Sequence, residues 1–259
     1  MYLSRVCLSR VCLSRVCLSR VCLRAAGVVM QDILVFAGSA RTNAFSKKLA
    51  TSAALSIRRH TPIRARATLI DLADFDAPLF NADLEFLQGV PESMQAIKAM
   101  VRSHDGLLIA TPEYNGFIPP LLVNLFSWTS RPEPHEPPGL VYQGKPVALA
   151  ASSPGRLGGV RVIPRLRDAA SELGMIPVPG FVTIPNAETA FAADGTLDDE
   201  AMARDMDALV NRLLTLCLKI KEKQPKRIRD GEQAPGQNDK TGQNDKTGQT
   251  VKQAASSVG

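Results

Sequence analysis

The sequence predicts a doubly wound α/β domain over residues 30–220, a five-stranded parallel sheet with helices on both faces. Three observations carry this. Short continuous apolar runs recur, as strands buried on both faces require. Between them the apolar positions fall at helical spacing. Strand and helix then alternate along the chain, the order that lays helices over a parallel sheet.

The elements follow in order. Ile33-Leu34-Val35-Phe36-Ala37 is the first apolar run, and Gly38-Ser39 ends it. From Ala44 to Arg59 the positions Leu49, Ala50, Ala53, Ala54 and Ile57 keep helical spacing. A second strand is expected at Ala67–Ile70, ending at Asp71, and then a long loop rich in Asp, Pro and Asn. Pro91-Glu92 reads as the first turn of a helix reaching Ser103. Gly106–Ala110 is the third strand, closed by Thr111-Pro112, and Pro119–Trp128 is helical. Pro146–Ala151 is the fourth strand, and Val160–Leu173 a helix stopped by Gly174. Phe181–Ile184 is the fifth strand. Asp198–Leu218 is the last helix, acidic at its start and with Lys219 and Lys221 at its end, as its dipole prefers.

The two ends differ from this middle. Residues 3–22 are four copies of Leu-Ser-Arg-Val-Cys, a period that fits neither helix nor strand. The repeat is Arg- and Ser-rich without acids, as in organellar transit peptides. The alternative is an expanded tandem repeat ahead of a start at Met30. Residues 221–259 repeat Gln-Asn-Asp-Lys-Thr-Gly and hold few apolar residues, so a disordered tail is expected. The chain of 259 residues carries a formal charge of +6. Residues 1–29 hold +5 of it and 219–259 hold +4, leaving 30–218 at −3. A basic nucleic-acid footprint belongs on the folded part, so nucleic acid is not an expected partner. No apolar run approaches the roughly 18 residues of a membrane-spanning helix. Four of five cysteines lie in the repeat and Cys217 stands alone. No disulfide framework follows, and a reduced, cytoplasmic setting is expected.

In a doubly wound sheet, ligands bind beyond the carboxyl ends of the strands, at the switch in strand order. The loop after strand one, Gly38-Ser39-Ala40-Arg41-Thr42-Asn43-Ala44-Phe45-Ser46, brings hydroxyls, backbone N–H groups and an Arg to a helix start, the makings of a phosphate site. It lacks the Gly-Lys-Ser/Thr of a P-loop and the glycines of the dinucleotide fingerprint, so a phosphate monoester suits it better. Equally, it reads as a polar turn capped by Thr42 or Asn43. The loop after strand three, Thr111-Pro112-Glu113-Tyr114-Asn115-Gly116, projects Glu113, Tyr114 and Asn115 where a flat heterocycle would find backbone donors and an aromatic flank. Alone it reads equally as an ordinary strand-exit turn. After strand four, Ser152-Ser153-Pro154-Gly155-Arg156-Leu157-Gly158-Gly159 is small enough for close ligand approach.

Together these loops resemble the NADPH-dependent FMN reductase family of the flavodoxin-like fold, which includes chromate and quinone reductases. The motifs are Gly-Ser-x-Arg after strand one, Pro-Glu-Tyr-Asn-Gly after strand three and Ser-Ser-x-Gly-x-x-Gly-Gly after strand four, with Asn124, Trp128, Ser130 and Arg131 in register downstream. The resemblance spans Asp32 to Leu214. It implies that Ser39, Arg41 and Ser46, with the backbone from Thr42 and Asn43 to Phe45, hold an FMN phosphate. It further implies that Pro112, Glu113, Tyr114, Asn115 and Gly116 border the ring and ribityl chain, and that Ser153 completes the pocket. Ala44 replaces a frequent Ser, and Val123 and Ser127 replace a usual Lys and Asp.

The resemblance implies an FMN-dependent oxidoreductase using NADPH or NADH, and a homodimer or homotetramer. Its electrons would pass to a quinone, flavin, azo compound or metal oxyanion such as chromate. Two readings stand beside it: a flavodoxin-like electron carrier without NAD(P)H activity, and a flavin-free scaffold whose tails bind an anionic partner. No cluster has metal-ligand spacing, and no Gly-x-Ser-x-Gly elbow of a serine hydrolase occurs. His60 and His104 read as element-end residues. His135 reads as a solvated loop residue in the Pro-rich stretch 132–143, itself a candidate for a mobile rim over the flavin.

Overall fold

A computed structural model describes residues 30–60, 62–133 and 136–223. The pentapeptide repeat, the tail beyond Lys223 and His135 lie outside the described residues. The elements in order are β1 (Gln31–Ala37), α1 (Phe45–Arg59), β2 (Ala65–Ile70), α2 (Ala82–Gln88), α3 (Glu92–Ser103), β3 (Gly106–Thr111), α4 (Pro120–Thr129), β4 (Pro146–Ser152), α5 (Val162–Glu172), β5 (Ile176–Pro177), β6 (Val182–Ile184) and α6 (Glu200–Lys223).

All strand pairs are parallel, in the order β2-β1-β3-β4-β5 with β6 also on β4. This is the flavodoxin-like order, and its switch point lies between β1 and β3. Side chains alternate across each strand. Ile33, Val35 and Ala37 of β1 pack with Leu49, Ala53 and Ile57 of α1 and Leu209 and Leu213 of α6. Leu34 and Phe36 face Ile97 of α3, Leu122 and Trp128 of α4 and Leu166 of α5. A core on each face of the sheet is what the continuous apolar runs demand.

The expected fifth strand is two short ones. Ile176 and Pro177 pair with the start of β4, and Val182–Ile184 with its end. Between them Pro179 has no N–H to give a ladder, and Gly180 turns the chain at φ +81°. Phe181, expected within the strand, is exposed and outside it. The long loop after β2 also holds structure that the sequence reading left out. Asp71 Oδ1 accepts from Ala73 N and caps a short 3₁₀ turn at Leu72–Asp74. Asn81 Oδ1 accepts from Asp83 N at 2.7 Å and caps α2, and Gly89 ends that helix at φ +75°. The last helix runs past the expected end at Leu218. Lys221 fixes its final turn, with Nζ 2.9 Å from Asp105 Oδ2 and 3.2 Å from the Met30 carbonyl. The tail boundary expected at 221 therefore falls inside α6.

The downstream residues Asn124 and Trp128 shape this long loop. Asn124 Oδ1 accepts from Phe80 N at 2.7 Å, and Asn124 Nδ2 and Trp128 Nε1 both donate to the Pro78 carbonyl. Phe80 packs edge-on to Trp128, with the Arg131 guanidinium 5.1 Å from its ring. His60 and His104 stand at the C-termini of α1 and α3. His104 bridges to Thr68 Oγ1 at 2.8 Å, a tie between α3 and β2.

Candidate functional site

The loops after β1, β3 and β4 meet in one open cleft of about 310 Å³. Ser39, Arg41, Ala44, Phe45, Ser46, Pro112, Glu113, Tyr114, Ser152, Ser153 and Pro154 line it. Thr42, Asn43, Asn115 and Gly116 belong to the same loops but lie off the cleft lining.

The first loop is built to present donors. Gly38 N donates to the Ala110 carbonyl at 2.8 Å, carrying β1 pairing one residue past the strand. Any side chain at Gly38 would strike Leu122 of α4 at 2.7 Å, so glycine lets the loop leave close to the sheet. Ser39 is buried, and its Oγ accepts from Arg41 N at 3.3 Å, which leaves its own proton to donate. Neither Thr42 nor Asn43 caps α1. Both are exposed, and Ala44, in extended conformation, stands at the N-cap without a side chain able to cap. The N–H groups of Lys47 and Lys48 bond to the Ala44 carbonyl. Those of Phe45 and Ser46 are the donors a helix start leaves without intrahelical partners. Ser46 is 1% exposed, and its Oγ has no hydrogen-bond partner.

Positive charge gathers at this end. The Arg41 guanidinium lies 5.6 Å from the Phe45 ring centroid and Lys48 Nζ 5.8 Å from it. Among the described residues neither cation has a carboxylate partner. Lys47, which the sequence reading passed over, ties the loop down. Its Nζ reaches the Ala40 carbonyl at 3.3 Å and Asp71 Oδ2 at 2.6 Å. Burial pulls the Asp71 carboxyl upward, yet the Lys47 ammonium and the Ala73 N–H hold it below its usual value. Uncapped donors on a cleft that Arg41 also lines, with no carboxylate to neutralise it among the described residues, form an anion site.

The second loop is a tight hairpin. Tyr114 and Phe117 exchange backbone hydrogen bonds at 3.2 and 2.9 Å. Asn115 at φ 54° and Gly116 at φ 74° are its central residues, the positive pair a type I′ turn requires. This turn holds the Tyr114 ring at the cleft, about half exposed. Glu113 differs from its expected role. Its nearly buried carboxylate binds the Arg161 guanidinium and accepts from Arg161 N at 3.0 Å, clasping the hairpin to the start of α5. Its carboxylate is committed to a protein partner.

The third loop brings two serines. Ser153 Oγ accepts from Gly155 N at 3.1 Å, so its proton too stays free to donate. Ser152, which sequence reasoning missed, is 3% exposed, and its Oγ has no partner. Gly158 and Gly159 serve packing. A side chain at Gly158 would lie 2.8 Å from Pro185 N, and one at Gly159 3.1 Å from Ala151 Cβ. They let the loop fold down on β4 and β6.

The cleft thus fits a phosphate monoester carrying a flat ring. Its donors are hydroxyls and helix-start N–H groups, its one lining cation, Arg41, has no carboxylate partner among the described residues, and the buried Ser46 and Ser152 hydroxyls have no hydrogen-bond partner there. Among the described residues no cluster of three or more His, Cys, Asp or Glu could hold a metal ion. No helix of the described residues is long and apolar enough to cross a membrane.

Comparison with known proteins agrees with this geometry. A family model described as NADPH-dependent FMN reductase matches residues 31–189. An NAD(P)H-dependent FMN reductase of Pseudomonas aeruginosa is 39% identical over 135 residues, 51% of this chain and 70% of that one. A 2-hydroxy-1,4-benzoquinone reductase of a Burkholderia species is 33% identical over 181 residues, 70% of this chain and 92% of its own length. A quinone reductase of Escherichia coli is 32% identical over 135 residues, 66% of its length. Among solved structures, FerB of Paracoccus denitrificans, titled a flavoenzyme NAD(P)H:(acceptor) oxidoreductase, superposes with a TM-score of 0.62 at 28% identity. That match covers 73% of this chain and 98% of FerB.

Proposed function

This chain belongs to the NADPH-dependent FMN reductase family, oxidoreductases that use FMN and NAD(P)H, and from that premise we propose that its substrate is a quinone. The observation that carries the reading is the convergence of the three strand-end loops on one cleft that Arg41, the uncapped start of α1 and Tyr114 all line. The name of the Burkholderia relative, a 2-hydroxy-1,4-benzoquinone reductase, supports a quinone acceptor. Free flavins, azo compounds and metal oxyanions such as chromate are further acceptors to assay.

In this reading, Ser39, Ser46 and the N–H groups of Phe45 and Ser46 donate to the phosphate. Arg41 balances its charge, and Thr42 and Asn43 hold the loop that shapes the nest. Pro112 and Tyr114 border the ring, the Asn115-Gly116 turn presents Tyr114 to it from off the cleft lining, and Glu113 keeps that turn in place through Arg161. Ser153 closes the far side. FMN held by these residues would supply the redox chemistry between nicotinamide and acceptor. No side chain is assigned as an obligate acid or base, and the chain's task is binding, orientation and polarity.

A cytoplasmic homodimer or homotetramer completes the proposal. Phe86 and Leu87 of α2 and Leu79 of the preceding loop are largely exposed, and Val123 of α4 is half-exposed. Such apolar exposure suits a covered surface. The test is the absorbance spectrum of the purified protein, followed by NADPH and NADH oxidation with a quinone and the other acceptors. A flavin spectrum with quinone-dependent turnover is the expected result. Stoichiometric flavin reduction without turnover, or a colourless protein that does not bind FMN, refutes it.

A further inference from the structure

We propose that Ser152 is a ligand-binding residue whose hydroxyl engages the sugar-alcohol chain of the flavin, and that it costs the ligand-free protein stability. This rests on the flavin reading above. Ala148 and Ala150 of β4 face the α1 side of the sheet, and Leu149 and Ala151 face the other. By strand alternation Ser152 falls on the α1 side, the side of Ser46. Both hydroxyls are more than nine-tenths buried, both lack a partner, and both line the same cleft.

The backbone around Ser152 does not need this hydroxyl. Ser152 stands in register with Ile184 of β6, and Ser153 N donates to the Ile184 carbonyl at 3.1 Å. Nor does packing call for serine, since the two preceding positions are alanines. A buried hydroxyl without a partner is a net cost to folding. A polar ligand removes that cost, so the side chain is explained by binding and by no partner among the described residues.

Position decides which part of the ligand it meets. The phosphate nest lies at the end of β1, and β4 is two strands away across β3, about 10 Å at a spacing of about 4.8 Å. That exceeds the reach of one phosphate group. A chain of secondary alcohols, each donor and acceptor, spans this gap and matches a serine hydroxyl in kind.

The experiment measures FMN and riboflavin affinity by flavin-fluorescence titration and the melting temperature of ligand-free protein, for wild type, Ser152→Ala and Ser46→Ala. For Ser152→Ala both flavins should bind about three- to tenfold more weakly, the worth of one neutral hydrogen bond. The ligand-free melting temperature should hold or rise. Ser46→Ala should weaken FMN more than riboflavin. Unchanged affinities for Ser152→Ala overturn the proposal. So does a loss confined to FMN, which would place Ser152 on the phosphate, or a fall in ligand-free stability, which would make it a packing residue. A wild-type protein that binds neither flavin overturns the flavin reading itself, before any variant is compared.

Discussion

Replacing Arg41 with alanine removes a cation that lines the cleft and lies 5.6 Å from the ring of Phe45, the first residue of α1, with no carboxylate to neutralise it among the described residues. A charge-assisted hydrogen bond is worth about 1.5–3 kcal/mol, and about 1.4 kcal/mol is a factor of ten in affinity. Arg41 is exposed, so solvent screening places it at the low end, and FMN affinity should fall about tenfold. The contact with Phe45 is also lost, but from both the free and the bound protein, so it cancels in the affinity. It appears only in ligand-free stability, at about 0.5–1 kcal/mol for an exposed cation–π pair. Riboflavin lacks the phosphate and should bind both proteins alike. Added salt should weaken FMN binding to wild type more than to the variant, because screening acts on the charge that the variant lacks. Fluorescence titrations with the two flavins at low and high salt give all of these values. Equal FMN affinity in both proteins, or an equal loss for riboflavin, would refute an anion site at Arg41.

Gly116→Val should lower the melting temperature and the flavin content together. Its cost is backbone strain at φ +74°, about 1–2 kcal/mol, because the nearest atom to a new Cβ is Arg161 Nε at 3.9 Å. Gly116→Asn should recover most of both. Gly158→Ala should melt well below Gly144→Ala: both have positive φ, but only at Gly158 does the new Cβ meet backbone, at 2.8 Å, so the difference measures the clash. Asp71 ionises more readily folded than unfolded, so its contribution is present above its unfolded pKa and is lost as pH falls through the folded one. Asp71→Asn should therefore shrink the loss of stability below about pH 4 in acid melts, where 3.8 is the ordinary value; an unchanged acid limb would count against the Lys47 clamp. Cys217 is buried, and burial pushes its thiol to about 12. Peptide mapping after alkylation at pH 8 should find it unmodified in folded protein and modified after unfolding.

The fold was legible because its strands are buried on both faces, and Ile33–Ala37, Gly106–Ala110 and Pro146–Ala151 advertise that as unbroken apolar runs. What escaped was set by single residues acting over short range. Asn81 and Gly89 make a helix of α2, although none of its residues is buried and so it has no apolar stripe to betray it. Pro179 and Gly180 cut one edge strand in two, while the apolar residues around them still read as a strand.

The site divides the same way. Which loops meet follows from the strand order, and strand order follows from alternation, so three loops could be named from sequence alone. Which side chain in a loop serves the ligand depends on the phase at which a strand ends. Ser152 and Ser153 are chemically the same, yet one is the last residue of β4 with an unpartnered hydroxyl and the other accepts from Gly155 in the following turn. Glu113 shows the reverse case. Its carboxylate, beside an aromatic and an amide, has the composition of a ligand contact, but its partner lies 48 residues on, at Arg161. A carboxylate already satisfied by an arginine holds a loop, whereas a buried hydroxyl on the cleft with no partner among the described residues is free to meet a ligand. Only three-dimensional partner accounting separates the two, and it moves the weight of the site from Glu113 toward Ser46 and Ser152.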